Sequence, residues 1–465
     1  MPTSVHVESA SLSPNQASHA RDPSESLPKT DHRLLARPGD YSTTYVWYVI
    51  ALLTIVNVFN YMDRMALSVL LPSIKADLAL SDGQVGLLVG FAFALFYAIC
   101  GIPIARYADR GIRRNVIAIS LTVWSIMTAL SGTAQNFWQL FMARVGVGAG
   151  EAGGLPPAQS ILCDYVPVER RSGVFAIHSF GLIVGMMLGM ALAGPLSEII
   201  GWRWTCVALG LPGIGVAFIV RLTLREPARG VLDRKAAVKE TKAARDESLS
   251  PLATLVVLWR CRTFKLLMLS TVMHGFIYCA LTQWWPSFYA RSFGLSLSSV
   301  GLYLGVGLGC GSGLGMLIGG LLSNKGAQRD TKLPLLLGAA GMCLAIPASL
   351  GSLLAPSVGV SIMLVFVTGL LWSVPSGPQV ATLYSVVPPG MRATAGAISI
   401  FFSSVVGFGL GPTFVGFLSD LLASRLGVES LRYALLAPIC LMPIPAMVLY
   451  AAALAAPADM QRART

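Results

Sequence analysis

The amino-acid sequence predicts an all-α integral membrane protein whose twelve transmembrane helices form two pseudo-symmetric six-helix bundles. Three observations carry this. Apolar residues make up 54% of the 465 positions and charged residues only 12%, about half the charged share of a soluble domain and too little to cover its surface. The apolar residues gather into runs near the ~20 residues that a helix needs to cross a bilayer. Three short stretches in or beside the first six runs have counterparts in the second six.

Taken in order, the spans fall near residues 45–73, 84–105, 114–133, 138–163, 172–200, 204–222, 264–289, 297–322, 333–354, 358–386, 394–422 and 431–455. Residues 1–44, rich in Ser, Pro and acidic residues, show no apolar periodicity and are expected to be a disordered cytoplasmic tail. The N-terminal bundle then covers 45–222, a cytoplasmic linker 223–262, the C-terminal bundle 263–456 and a short cytoplasmic tail 457–465. The linker is charged and is expected to lie along the membrane surface. No secretory signal is visible, because the first apolar run is long enough to span and ends in no cleavage-type site.

Basic residues orient the spans. The loops after even-numbered spans carry Arg106, Arg110, Arg113, Arg114, Arg170, Arg171, Lys325, Arg329, Lys332 and Arg392, and eleven more lie between Arg221 and Lys265. The opposite loops carry Lys75, Arg203, Arg291, Arg425 and Arg432. That bias places both termini in the cytoplasm, with the cell (inner) membrane the expected location. It also accounts for the net charge of +12, so no nucleic-acid partner is expected. Of the eight cysteines none forms a CxxC pair, which argues against a disulfide framework or a zinc site. No metal or cofactor is expected.

The halves repeat in register. PPAQSILCDYVPVERR and GPQVATLYSVVPPGMR place Pro157, Pro167 and Arg171 221 residues before Pro378, Pro388 and Arg392. GPLSE at Gly194–Glu198 matches GFLSD at Gly416–Asp420, and Asp109-Arg110-Gly111 matches Asn324-Lys325-Gly326. A duplicated six-helix unit implies a site between the halves near the midplane.

Four intramembrane charges mark that site. Asp63 and Arg64 lie deep in span one, where a charge costs about 2.5–3.5 kcal/mol and is normally paired and functional. Neighbours on a helix point about 100° apart, so at least one of the two must reach another helix. Span four supplies Arg144 and Glu151, seven residues apart on one face, among Gly146, Gly148, Gly150, Gly153 and Gly154. Those glycines are expected to let backbones approach and to leave open volume near the carboxylate, and Pro156 and Pro157 to distort the helix. Asp63 and Glu151 are candidate proton-coupling sites because desolvation disfavours a charged carboxylate. Arg64 and Arg144 tune them or hold an anionic head group; spacing does not decide between these roles. A purely structural ion pair is the bland alternative.

Glycine ladders in spans five (Gly181, Gly185, Gly189) and eight (Gly301 to Gly315) read as helix contact surfaces. They lack the strand and the Gly-Lys-Ser/Thr of a nucleotide loop, so no ATPase is expected. His178 and His274 are weak candidates for a proton relay, packing or a simple hydrogen bond being the blander explanation.

The loop ARYADRGIRR after span two resembles the signature loop of the major facilitator superfamily, with Ala105 in place of the leading Gly and Gly111 one position early. Together with NYMDRMALSVLLP, ARVGVGAGEAGGLPPAQSIL and DYVPVERRSGVFAI, it is similar to the Spinster family of that superfamily, most densely over Tyr45–Arg229. The resemblance implies a secondary active transporter, not an enzyme, that works by alternating access. It implies a lysolipid, sphingolipid or related amphipathic anion as substrate and a proton gradient as driving force. Asp63 and Glu151 would then be the protonatable pair. Asp109, Arg110, Arg113 and Arg114, with Asn324 in the second copy, would form a cytoplasmic gate between the halves. A soluble organic anion or sugar is the second expectation, and a transporter-like receptor or membrane enzyme the third. Membrane lipids are the expected surroundings and a monomer the expected state.

Overall fold

The computed structural model describes residues 41–229, 258–327, 329–387 and 391–462, the side chains of 168, 169, 172, 324, 325, 327, 392 and 393 excepted. The expected tail before residue 41 and the middle of the linker, 230–257, lie outside the described residues.

The N-terminal half holds α1 (Thr43–Leu78), α2 (Asp82–Val89), α3 (Phe91–Arg110), α4 (Arg113–Ser131), α5 (Phe137–Glu151), α6 (Leu155–Tyr165) and α7 (Val168–Thr223). The C-terminal half holds α8 (Arg262–Ser292), α9 (Leu297–Ala327), α10 (Leu333–Leu354), α11 (Val358–Ser373), α12 (Ser376–Ser385), α13 (Arg392–Phe402), α14 (Gly411–Leu426), α15 (Ser430–Leu441) and α16 (Pro443–Arg462). A π-helical stretch, Ser403–Leu410, joins α13 to α14. Among the described residues, nine helical stretches are long and apolar enough to cross a membrane.

Those nine stretches give eleven crossings, because two of them turn back, and α5 with α6 makes the twelfth. Helix α7 breaks at Gly201, whose φ of 77° only glycine adopts freely. Before the break α7 runs beside α1 in the same direction, Gly181 meeting Thr54 and Gly189 meeting Met62. After it the chain returns, with Trp202 donating to Asp77 at the end of α1 and Thr223 bonding Tyr45 and Tyr48 at its start. A 3-10 turn, Gly427–Glu429, reverses the chain between α14 and α15.

Span four is broken rather than merely bent. Helix α5 stops at Glu151 and α6 starts at Leu155, with its prolines in the first turn. There their missing N–H groups have no helical partner to lose, so the break falls just before the proline pair. The final helix passes through Pro457 to Arg462, further than the expected end of span twelve.

The glycine ladders act as contact surfaces. A Cβ on Gly181 would stand 2.8 Å from the Thr54 carbonyl oxygen, and Gly185 and Gly189 abut Val58 and Met62 of α1 more closely still. Helix α9 uses two faces: Gly301 and Gly305 meet α7, while Gly311, Gly315 and Gly319 meet the backbone of α11 and its C-terminal extension. Close backbone approach of this kind substitutes for the hydrophobic drive that lipid removes.

Candidate functional site

The four intramembrane charges come together around α1. Asp63 is 3% exposed, Arg64 8%, Arg144 3% and Glu151 0%, so each depends on the others rather than on water. Arg64 reaches across to span four: its Nε donates to Glu151 Oε2 at 2.6 Å and its second terminal nitrogen lies 2.6 Å from the same oxygen. Asp63 points another way, as adjacent helical positions require, and accepts from Thr128 Oγ1 of α4 at 3.2 Å. Arg144 shares a small void with Asp63, lined also by Thr128, Ser131 and Cys206, of about 10 Å³. Among the described residues, Asp63 Oδ1, Arg144 Nε and Glu151 Oε1 have no hydrogen-bond partner. A void of that size accommodates about one water.

Arg144 and Glu151 do share a face of α5, yet Glu151 pairs with Arg64. Among the described residues, the glycines beside Glu151 meet neighbouring helices rather than open space. Gly148 abuts the Phe93 carbonyl of α3 and Gly150 the backbone of Trp124 in α4, so the room that five glycines leave is taken by neighbouring helices.

Aromatic rings surround the Arg64 guanidinium. Its central carbon lies 4.4 Å from the ring centre of Phe93, 5.1 Å from those of Tyr61 and Tyr97, and 5.8 Å from that of Phe408. Phe408 comes from the π-helical stretch of the other half, so the cation sits at the seam. A guanidinium so placed keeps cation–π support while presenting donors to an anion. Sequence reasoning missed these rings. The isolated aromatics in a chain with 9% Phe, Trp and Tyr carried no signal of their own.

The corresponding position of the C-terminal half is neutral. His274 of α8 meets Trp372 of α11 edge-on, ring centres 4.8 Å apart, with Gln379 beside it.

The loop after α3 is engaged with its own half. Arg113 donates to Glu226 Oε1 at 2.8 Å, to Asp164 Oδ2 at 2.5 Å and to Ser160 Oγ at 2.8 Å. Glu226 Oε2 accepts from the Arg114 backbone at 2.9 Å. Arg229 donates to the Ala108 and Gly111 carbonyls, satisfying the C-terminal end of α3. Asp109 and Arg110 are exposed. The side chain of Asn324, the matching position in the second copy, lies outside the described residues.

At the end away from the termini the halves are fastened together. Asp420 of α14 accepts from the Asp82 and Gly83 backbone N–H groups at 2.9 and 2.7 Å, capping α2. Glu198 of α7 accepts from the Ser298 N–H at 2.9 Å and from its hydroxyl, capping α9. These are the acidic residues that end the repeated GFLSD and GPLSE. Asp82 adds Arg291 at 2.7 and 2.5 Å, Lys75 at 2.5 Å and Ser419 at 2.7 Å.

Residues 53–412 match the Major Facilitator Superfamily. An "MFS-type efflux pump" of Mycolicibacterium smegmatis is 32% identical over 405 residues, 87% of this chain and 91% of that one. The human "Protein spinster homolog 1" is 27% identical over 80% of this chain and 72% of its own. A crystal structure of a bacterial homologue to the human lysosomal transporter Spinster, described as inward-facing and unoccupied, superimposes with a TM-score of 0.81 at 30% identity, covering 90% of this chain and 99% of that one. The two capped helix ends, the paired charges of spans one and four and these likenesses agree. The chain belongs to the major facilitator superfamily, in its Spinster family, and is a multi-pass membrane transporter that works by alternating access rather than an enzyme.

Proposed function

We propose that this protein is a proton-coupled transporter of a lysolipid or related amphipathic anion. The observation that carries the reading is Arg64, bound to Glu151 and ringed by Tyr61, Phe93, Tyr97 and Phe408 at the seam between the halves. A cation with aromatic walls suits an anionic head group with an apolar neighbour better than it suits a sugar. Glu151 and the substrate then compete for one guanidinium. Protonating Glu151 removes its charge and frees Arg64 for the incoming anion; losing the proton restores the pair and expels it. Asp63, held by Thr128 and facing Arg144, is the second proton site.

The conformation supports inward-facing access. The halves are fastened at the end away from the termini, and the basic-residue bias supports cytoplasmic termini in a cell-membrane protein. The neighbouring bacterial homologue is also described as inward-facing. The protein is proposed to act as a monomer.

Uptake of a labelled lysophospholipid into proteoliposomes, with and without an inward proton gradient, tests this beside Asp63→Asn. Wild-type uptake should rise with the gradient and the variant should lose that rise. Gradient-independent uptake in the wild type would remove the proton; no uptake at all would move the substrate to a soluble organic anion.

A further inference from the structure

Tyr278 of α8 brings a hydroxyl from the C-terminal half to the rings that surround Arg64. The hydroxyl donates across the seam to Met186 Sδ of α7, in the other half, at 3.6 Å. Tyr61 stands beside Tyr278, and its ring centre lies 5.1 Å from the central carbon of the Arg64 guanidinium. The next residue on α8, Cys279, is near both Tyr61 and Arg64. Tyr61, Tyr97, Tyr278 and Phe408 are half-buried, which leaves part of each ring accessible beside the buried cation.

The Tyr278 donor is poorly used in this conformation. A thioether sulfur is a weak acceptor, whereas an oxygen holds an O–H donor at about 2.7–2.8 Å. Ser312 Oγ of α9 also stands beside Tyr278. It is 7% exposed and has no hydrogen-bond partner among the described residues, although buried polar atoms are paired in the great majority of cases. Two hydroxyls of the C-terminal half, one weakly engaged and one unengaged, therefore meet beside the rings around Arg64.

We infer that Tyr278 is a specificity-determining residue, whose hydroxyl exchanges Met186 for a head-group oxygen that Arg64 leaves unpaired. Once Glu151 has released it, the Arg64 guanidinium takes two oxygens of an anion through its fork. That exhausts a carboxylate. A phosphate ester has a further oxygen, and Tyr278 donates to it while Ser312 donates to the phenol oxygen in turn. The pair favours an amphiphile with a phosphate head over one with a carboxylate head. Because the Met186 contact joins the halves, the competing role for Tyr278 is to fasten them.

This inference rests on the reading of Arg64 as the head-group residue. Equilibrium binding of radiolabelled oleoyl lysophosphatidate and of oleate to the purified full-length protein tests it, since both carry the same chain and only the phosphate has the additional oxygen. Tyr278→Phe should weaken lysophosphatidate binding at least about tenfold, as loss of a hydrogen bond to a charged group does, and oleate binding less than about threefold. Met186→Leu removes the sulfur and conserves the volume, so it should leave the ratio of the two affinities unchanged. In proteoliposomes, Tyr278→Phe should keep the wild-type maximal rate of lysophosphatidate uptake, the loss appearing in KM. Equal losses for both ligands, or parallel losses in Tyr278→Phe and Met186→Leu, would show that the contact merely fastens the halves and would overturn the inference. An unchanged preference for lysophosphatidate in Tyr278→Phe overturns it too, and leaves the Arg64 reading standing. If the wild type binds neither ligand, that reading and the inference both fall.

Discussion

Span one meets span four through an ion pair, Arg64 on Glu151, whereas span seven meets span ten through a neutral contact, His274 edge-on to Trp372. The two places correspond: Trp372 follows Glu151 by 221 residues, the offset that relates Pro157 to Pro378. The duplicated scaffold therefore carries a buried ion pair in one half and a neutral packing contact in the other. Where the halves are fastened together the duplication persists, since Glu198 and Asp420 each cap a helix of the opposite half. Symmetry is kept in the contacts that join the halves and broken where the buried charges sit.

The largest expected effect tests that division. Arg64→Ala leaves Glu151 buried without its partner, and breaking one side of a buried pair costs about 3–5 kcal/mol. Lysophospholipid uptake into proteoliposomes should fall by more than about 100-fold in Arg64→Ala, on the conversion of 1.4 kcal/mol per tenfold. His274→Ala removes a neutral edge contact and should cost less than about fivefold, at an aromatic-pair value near 1 kcal/mol. Equal losses at the two positions would show that both halves do chemistry. Arg64→Lys should stay far below wild type, because an ammonium cannot reproduce the guanidinium's fork or its stacking.

Intermediate effects belong to the fastened end. Neutralising a carboxylate at a helix N-terminus costs about 0.3–1 kcal/mol, and up to about 2 kcal/mol where the site is partly buried. Asp420→Asn and Glu198→Gln should each shift the balance between the two access states toward the opposite opening by roughly twofold to thirtyfold. Asp420→Asn should act more strongly, because Asp420 binds two backbone N–H groups beside the Asp82–Arg291 cluster and Glu198 binds one with a hydroxyl. Distance distributions between spin labels at the two ends measure the shift. Unchanged distributions in both variants would mean that apolar packing alone closes this end.

Most of the fold was legible in the sequence because its determinants are local. Run length, glycine spacing and repeated text need no knowledge of tertiary contacts. The four charges were legible because an intramembrane charge is conspicuous whatever it touches. Their pairing was not. Arg144 and Glu151 share a face of one helix, yet Glu151 binds Arg64 from another, and only packing decides that. Phe93 and Phe408 were invisible for a similar reason, being aromatic residues in a chain full of them whose meaning comes from the cation they surround. Asp420 and Glu198 were seen as a repeat, but the helix ends that they cap lie more than 90 residues away, beyond any spacing argument.

The smallest expected effect lies at the other end. In the conformation described, Asp109 is exposed and Arg113 and Arg114 are committed to Glu226 within their own half. Asp109→Asn therefore removes little from this state. If Asp109 joins the halves when the opposite side opens, as its resemblance to the superfamily's signature loop implies, the variant destabilises only that other state. The loss is one charged contact at the membrane surface, about 0.5–1 kcal/mol, or roughly a twofold to fivefold shift toward the conformation described. Transport should slow by a similar factor while equilibrium binding of a lysophospholipid is kept. Spin-label distances across the cytoplasmic end would show the shift, in the direction opposite to that of Asp420→Asn. Combining the two substitutions should bring the distribution back toward wild type, because each weakens a different closed end. A double variant that instead follows Asp420→Asn alone would mean that Asp109 fastens nothing.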